Sequence, residues 1–229
     1  MKFFKSTGLD KECDKAAQIL KSFIDKKKIP KEVIINAKGL AIFSGFRAAM
    51  YLAGAGGSGI VIARLPDGSW SPPSAFAVRS GAIGLVYGVD VYDCVCVLNT
   101  TEAVESYSKP EMSLGGGVAL AAGPLGGTAD IKEVKPVWTY TKSMGLYGGV
   151  TVDGTLIKEK QTMNAEFYGS NVTAAQVLAG AIPARKDADL LSAGRKQLIE
   201  VLKLIEGKQA DPKILQEISV EPTPGDLTH

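Results

Sequence analysis

Histidine is nearly missing from this 229-residue chain: the only one is His229, the last residue. Its absence elsewhere removes Ser-His-Asp and Cys-His nucleophilic catalysis and most zinc sites. Cysteine is scarce as well, at three residues, Cys13, Cys94 and Cys96. An odd count without metal or redox spacing argues against a secreted disulfide framework and fits a reducing cytoplasm. No Walker lysine follows a glycine loop, and no EF-hand loop occurs. Asp90 and Asp93 stand three apart on an expected strand and so point to opposite faces, unable to converge as a carboxylate pair. Glu102, Glu105 and Glu111 read as solvated surface acids. No catalytic residue, metal or cofactor is expected.

Long hydrophobic runs are also lacking. Residues 39–63 come nearest, with eight Leu, Ile, Phe or Val residues set against Arg47 and six glycines. Each apolar residue favours insertion by roughly 0.3–0.6 kcal/mol and the arginine opposes it by about 2.5–3.5 kcal/mol, so the balance is near zero before the glycines count. A transmembrane segment is therefore not expected, and the stretch reads as two buried strands with a glycine-rich connection. The start, MKFFKSTGLDKE, has too short an apolar stretch for a signal peptide, and Lys2 stands where N-myristoylation needs glycine.

Glycine is what the chain has in excess: 26 residues, 20 of them between Gly39 and Gly154. Gly54, Gly56 and Gly59 satisfy the G-x-G-x-x-G spacing of a dinucleotide loop. That loop holds pyrophosphate only where a helix follows. Here Ile60, Val61 and Ile62 follow, which are β-formers, and Pro66-Asp67-Gly68-Ser69 then makes a turn. The nucleotide reading fails on context.

Apolar spacing places an amphipathic helix from Leu9 to about Lys26, with Leu9, Ala16, Ile19, Leu20, Phe23 and Ile24 on one face. A short second helix starts after Pro30 and stops at Gly39. Residues 40–98 read as an antiparallel meander, Thr100 or Thr101 caps a short helix, and a second β block spans roughly 112–160. Within that block Asp153-Gly154 predicts a tight hairpin turn. The longest C-terminal helix is expected from about Asp187 to Glu206, with Gly207 as its stop. A helical turn after Asp211-Pro212 and a mobile tail complete the chain. The expected class is α+β: a curved, largely antiparallel, barrel-like sheet flanked by N- and C-terminal helices. Residues 1–8 form a basic, aromatic segment, 9–206 a single domain and 207–229 a tail.

The net charge of +2 conceals an asymmetry. Residues 1–47 hold eleven Lys or Arg against five Asp or Glu, and the remainder holds fifteen against nineteen. A basic end on an acidic body suits an anionic partner. The candidate binding residues are Lys2, Phe3, Phe4, Lys5, Lys11, Lys15, Lys26, Lys27, Lys28 and Lys31, the two phenylalanines supplying an apolar wedge. Each lysine near an anionic leaflet is worth about 1 kcal/mol, so four give roughly 4 kcal/mol, a millimolar attraction.

Taken in order, IPKEVIINAKGLAIF (29–43), GGSGIVIARLPDGSWSPPSA (56–75), VCVLNTTEAVESY (95–107), LGGGVALAAGPLGG (114–127), YTKSMGLYGGVTVDGTLI (140–157) and NAEFYG (164–169) resemble the SYLF domain. The resemblance covers roughly residues 9–206. It implies a non-catalytic domain that binds phosphoinositide membranes and, in fungal members, binds and bundles actin filaments during endocytosis. In that family the helix matching residues 9–20 is lysine-rich. Here Lys15 stands at a basic position, Asp10, Asp14 and Gln18 occupy others, and Gly127 replaces an arginine. Gly56, Gly57, Gly59, Trp70 and Tyr168 are family signatures that packing alone accounts for. The reading is a cytoplasmic adaptor, peripheral at the membrane or the actin cortex, with a phosphoinositide surface as partner, actin filaments as the paired possibility and no nucleic acid. The alternative is an apolar-ligand carrier whose curved sheet encloses a lipid tail.

Overall fold

A computed structural model describes residues 8–114, 120–123, 135–143, 146–182 and 192–226. Helix α1 (Gly8–Asp25) follows the expected amphipathic pattern, burying Leu9, Cys13, Ala16, Ile19, Leu20 and Phe23. A short helix α2 (Lys31–Ile35) follows Pro30. Two strands of 25 residues each then dominate the fold, β1 (Gly39–Ala63) and β2 (Ser74–Leu98). They pair antiparallel from Gly39 opposite Leu98 to Val61 opposite Ser74, with one register shift between Met50 and Leu52. The turn joining them is the one the sequence announces: Gly68 has φ 82°, and Asp67 accepts hydrogen bonds from the backbone and hydroxyl of Ser69.

After β2 come α3 (Thr101–Tyr107), β3 (Glu111–Leu114), β4 (Leu120–Ala122), β5 (Val137–Ser143) and β6 (Leu146–Glu159). The far edge of β2 is shared: residues 76–89 pair with β6 and residues 92–98 with β5. One pair, β4 with β5, is parallel. The hydrogen-bonded order β3-β6-β2-β5-β4, with β1 also on β2, leaves the sheet open. Helices α4 (Gln161–Tyr168), α5 (Ala174–Leu178), α6 (Ala193–Ile205) and α7 (Pro212–Glu217) follow, then a 3-10 turn at Pro224–Asp226. The class is thus α+β, with a curved and largely antiparallel sheet.

Two expectations fail in the same way. The glycine-rich stretch 54–59 is not a connection between two strands but the interior of β1, so the meander is a single long hairpin. The turn expected at Asp153-Gly154 is likewise absent, because β6 runs through both residues opposite Ala82 and Gly81. Continuous pairing along β2 supplies the backbone hydrogen bonds that a local turn would otherwise provide, and it overrides turn chemistry. The glycines serve close approach instead. A Cβ on Gly59 would lie 2.1 Å from the Ile42 carbonyl oxygen, and one on Gly57 would lie 2.5 Å from that of Ser44. With Arg64 N–H donating to the Lys38 carbonyl at 2.7 Å, these contacts bring the two ends of β1 back against each other.

Both faces of the sheet are covered where the strands read as unbroken apolar runs. Leu40, Ile42, Ile60, Ile62, Val95 and Val97 meet α1 and α6 on one face. Ala41, Phe43, Val61, Phe76 and Cys96 meet Tyr107 of α3 and Leu178 of α5 on the other. There Phe43, Phe76, Tyr92 and Tyr107 stack edge to face, with ring centroids 5.6–6.2 Å apart. α6 begins at Ala193; its expected start near Asp187 falls outside the described residues. Gly207 ends it with φ 69°. Of the end read as mobile, residues 221–226 are docked through Asp226, with Thr223 and Gly225 buried as is Ile218 just before them, and 227–229 lie outside the described residues.

Candidate functional site

Lys2, Phe3, Phe4 and Lys5 lie outside the described residues. The other candidates divide sharply. Helix α1 itself carries Lys11, Lys15 and Lys21 against Asp10, Glu12, Asp14 and Asp25, so its own charge is slightly negative. Lys15 is held by Glu12 at 2.7 Å and also donates to the Ser58 carbonyl, pinning α1 to the glycine stretch of β1. Lys26 is held by Asp226 at 2.5 Å. Lys11, Lys27, Lys28 and Lys31 are exposed and have no ion-pair partner among the described residues.

Three of those four, Lys27, Lys28 and Lys31, sit at the corner between α1 and α2. The corner is built by the way α1 ends. The Lys28 amide donates to the Phe23 carbonyl at 2.8 Å, the long-range bond of a Schellman stop. The residue that must then turn left-handed is Lys27, with φ 51°, where glycine is usual. A non-glycine residue held there costs on the order of 1 kcal/mol. Ile29 then buries itself, fixing the loop and leaving the neighbouring ammonium groups in water. Cations beside a helix C-terminus are also favoured by its dipole.

Behind that corner lies a network the sequence gives no sign of. Lys142 on β5 is fully buried, its side chain 1% exposed. Its ammonium contacts Asp226 at 2.7 Å, Ser22 Oγ at 2.8 Å, Thr223 Oγ1 at 3.1 Å and Asp93 at 3.7 Å, and lies 4.8 Å from the centre of the Phe23 ring. Burial pulls the Lys142 pKa down, against the upward pull of Asp226 and Asp93. Asp226 also takes hydrogen bonds from Ser22 at 2.7 Å and Thr223 at 2.8 Å. Burial raises its pKa, but the bonds from Lys142, Lys26, Ser22 and Thr223 outweigh that and hold it well below the usual carboxylate range. Gly225 closes the clamp by donating to Asp93 at 2.9 Å; a Cβ there would lie 2.6 Å from the Lys142 carbonyl. Ser22, Lys142, Asp93 and Asp226 come from α1, β5, β2 and the C-terminal turn, and no local pattern links them.

A second polar hub surrounds Trp70. Its indole N–H donates to Glu206 at 2.9 Å, the Arg64 guanidinium stacks 3.7 Å over its ring, and Arg64 and Lys208 both bind Glu206. Burial raises the Glu206 pKa, and the bonds from Lys208, Arg64 and Trp70 more than reverse this. Tyr168 is partly buried and donates to the Pro73 carbonyl. Asp67 lies on the exposed hairpin tip and Asp90 and Asp93 inside β2, so these carboxylates do not share a cleft. Cys94 and Cys96 do share a face, sulfur to sulfur 3.8 Å, and are buried and free. No group of metal-ligating side chains occurs among the described residues, and no helix there is long and apolar enough to cross a membrane.

Fold and charge define a three-layer α+β module with an open cationic corner and, beside it, a closed ionic clamp. Residues 79–203 match the family model Ysc84, described as Las17-binding protein actin regulator. LAS seventeen-binding protein 3 of Saccharomyces cerevisiae is 42% identical over 189 residues, which cover 76% of this chain and 41% of that protein. Protein YSC84 of the same organism is 40% identical over 198 residues, 80% of this chain and 42% of its own length. The SH3 domain-containing YSC84-like protein 1 of Homo sapiens is 40% identical over 195 residues, 80% of this chain and 57% of that protein. The chain belongs to this Ysc84, or SYLF-domain, family. It spans between about two fifths and three fifths of the length of these curated relatives. No solved structure matches it.

Proposed function

We propose that this chain is a non-catalytic adaptor module that docks at the cytoplasmic face of phosphoinositide-containing membrane in the cortical actin machinery. The observation that carries the reading is the corner at Lys27, Lys28 and Lys31: three exposed ammonium groups within five residues, none with a carboxylate partner among the described residues. Lys11 and, in the sequence, Lys2 and Lys5 add charge, while Lys15 and Lys26 are already engaged by the protein's own acids. Binding of this kind is reversible and weakens with salt. The test is sedimentation with vesicles carrying phosphoinositide. K27E/K28E/K31E removes three attractions of about 1 kcal/mol each, so apparent affinity falls roughly a hundredfold. Equal pelleting of native chain and variant, or equal pelleting with neutral vesicles, refutes the reading.

A second reading has its own support in the family description, which names an actin regulator. The same corner then meets the acidic surface of an actin filament. Co-sedimentation with filaments, native against K27E/K28E/K31E, separates the two. The apolar-ligand carrier finds less support, since both described faces of the sheet meet closely packed side chains.

A further inference from the structure

The clamp around Lys142 has the composition of an anion site with an occupant already in it. Four donors converge on the single carboxylate of Asp226: Lys26 on Oδ1, and Lys142, Ser22 and Thr223 on Oδ2. Three of them, Lys26, Lys142 and Ser22, belong to α1, its C-terminal turn and β5, and remain when the C-terminal segment is taken away. Thr223 and Asp226 leave with it. With Lys26 and Lys142 set against Asp93, the emptied slot carries one net positive charge, which Asp226 cancels. Asp93 already has one buried oxygen, Oδ1, without a hydrogen-bond partner, and it loses the Gly225 amide when the segment departs.

We infer that Lys26, Lys142 and Ser22 form a binding site for a phosphate monoester, which residues 218–226 occupy competitively as a tethered strap. The inference rests on the proposed membrane docking for its lipid source. Three donors crowding one carboxylate oxygen are a poor match to a planar two-oxygen group and a better one to the three oxygens of a phosphate. The slot also adjoins the open corner, because Lys27 and Lys28 follow Lys26 directly in the chain. A headgroup phosphate entering the slot would therefore meet additional cations at its rim, as a free acidic side chain would not. The strap acts as an intramolecular ligand present at millimolar effective concentration, so the apparent affinity of an external anion is reduced by the fraction of molecules whose slot is open.

The test uses the full chain, soluble inositol trisphosphate, and vesicles with and without phosphoinositide. Removing the competitor by Asp226→Asn tightens binding of soluble inositol trisphosphate by about tenfold. Adding Lys142→Met to that variant abolishes the gain. Thermal unfolding of each variant reports whether it remains folded. In the native chain, where no substitution is involved, saturation with inositol trisphosphate speeds amide exchange at residues 218–226. Unchanged exchange there, or a gain that survives Lys142→Met, overturns the inference. A gain for phosphoinositide vesicles without one for the soluble headgroup also overturns it, since both carry the same phosphates. Displacement of the strap by an acidic peptide but not by inositol trisphosphate assigns the slot to a protein partner and overturns it equally. If K27E/K28E/K31E leaves vesicle binding intact while Asp226→Asn still tightens soluble binding, the docking reading fails and the slot stands; the converse result leaves docking and removes the slot.

Discussion

At position 59 a methyl group has nowhere to go, because the atom it would strike, 2.1 Å away, is the backbone oxygen of Ile42 and not a movable side chain. Gly59→Ala therefore forces the two ends of β1 apart and destabilises the fold by about 1–3 kcal/mol, read as a lowered midpoint in urea. Spacing alone made Gly59 look like part of a phosphate loop, and only the β-branched residues behind it argued otherwise. Residues with local jobs were legible in this way: Thr100 accepts from the Ala103 amide as a helix cap, Gly207 stops α6, and Gly68 turns the hairpin. Lys27 was not, since nothing in a run of three lysines marks the middle one for a left-handed conformation. Lys142 was not either, because a lysine on a strand reads as solvated until its distant partners are known.

Helix α1 shows how an element can be legible in the sequence while the work of its acids is not. Its boundaries and buried face follow from apolar spacing, but its acids are structural. Asp10 Oδ1 accepts from the Gly194 amide at 2.9 Å, so α1 caps the N-terminus of α6, whose own Ser192 makes no side-chain cap. Asp10 and Asp14 stand at positions where the family resemblance leads one to expect lysine, and Asp14 is hydrogen-bonded to Gln18. Asp10→Ala should cost about 1 kcal/mol, as lost helix caps do, and lower Tm by about 2–4 °C for a chain of this size. A calorimetric scan showing no change would mean that α6 needs no cap from α1. Strand lengths were the weakest part of the sequence reading. The pattern locates apolar runs, but whether a glycine between two runs ends a strand or continues it depends on the partner strand.

For the whole molecule, the charge asymmetry visible in the sequence does not translate directly into a charged surface. Part of the basic N-terminal region is neutralised from the far end of the chain, Lys26 by Asp226 across 200 residues. That coupling makes the strap sensitive to acid. Because the folded pKa of Asp226 is depressed, its contribution to stability is fully present above the ordinary carboxylate value near 3.9 and is lost as pH falls through that value toward the folded one. Urea midpoints of native chain and Asp226→Asn should therefore differ most above about pH 5 and converge as the pH drops toward 2. A gap that stays constant over that range would show that Asp226 contributes through shape and not through charge.

The order of the chain adds a constraint in time. During synthesis β5 and its lysine are finished 84 residues before the aspartate that meets them. Until then the sheet must either leave that ammonium in water or enclose it with only Asp93 and Ser22 as polar neighbours, so the turn that carries Asp226 arrives long after the site it closes.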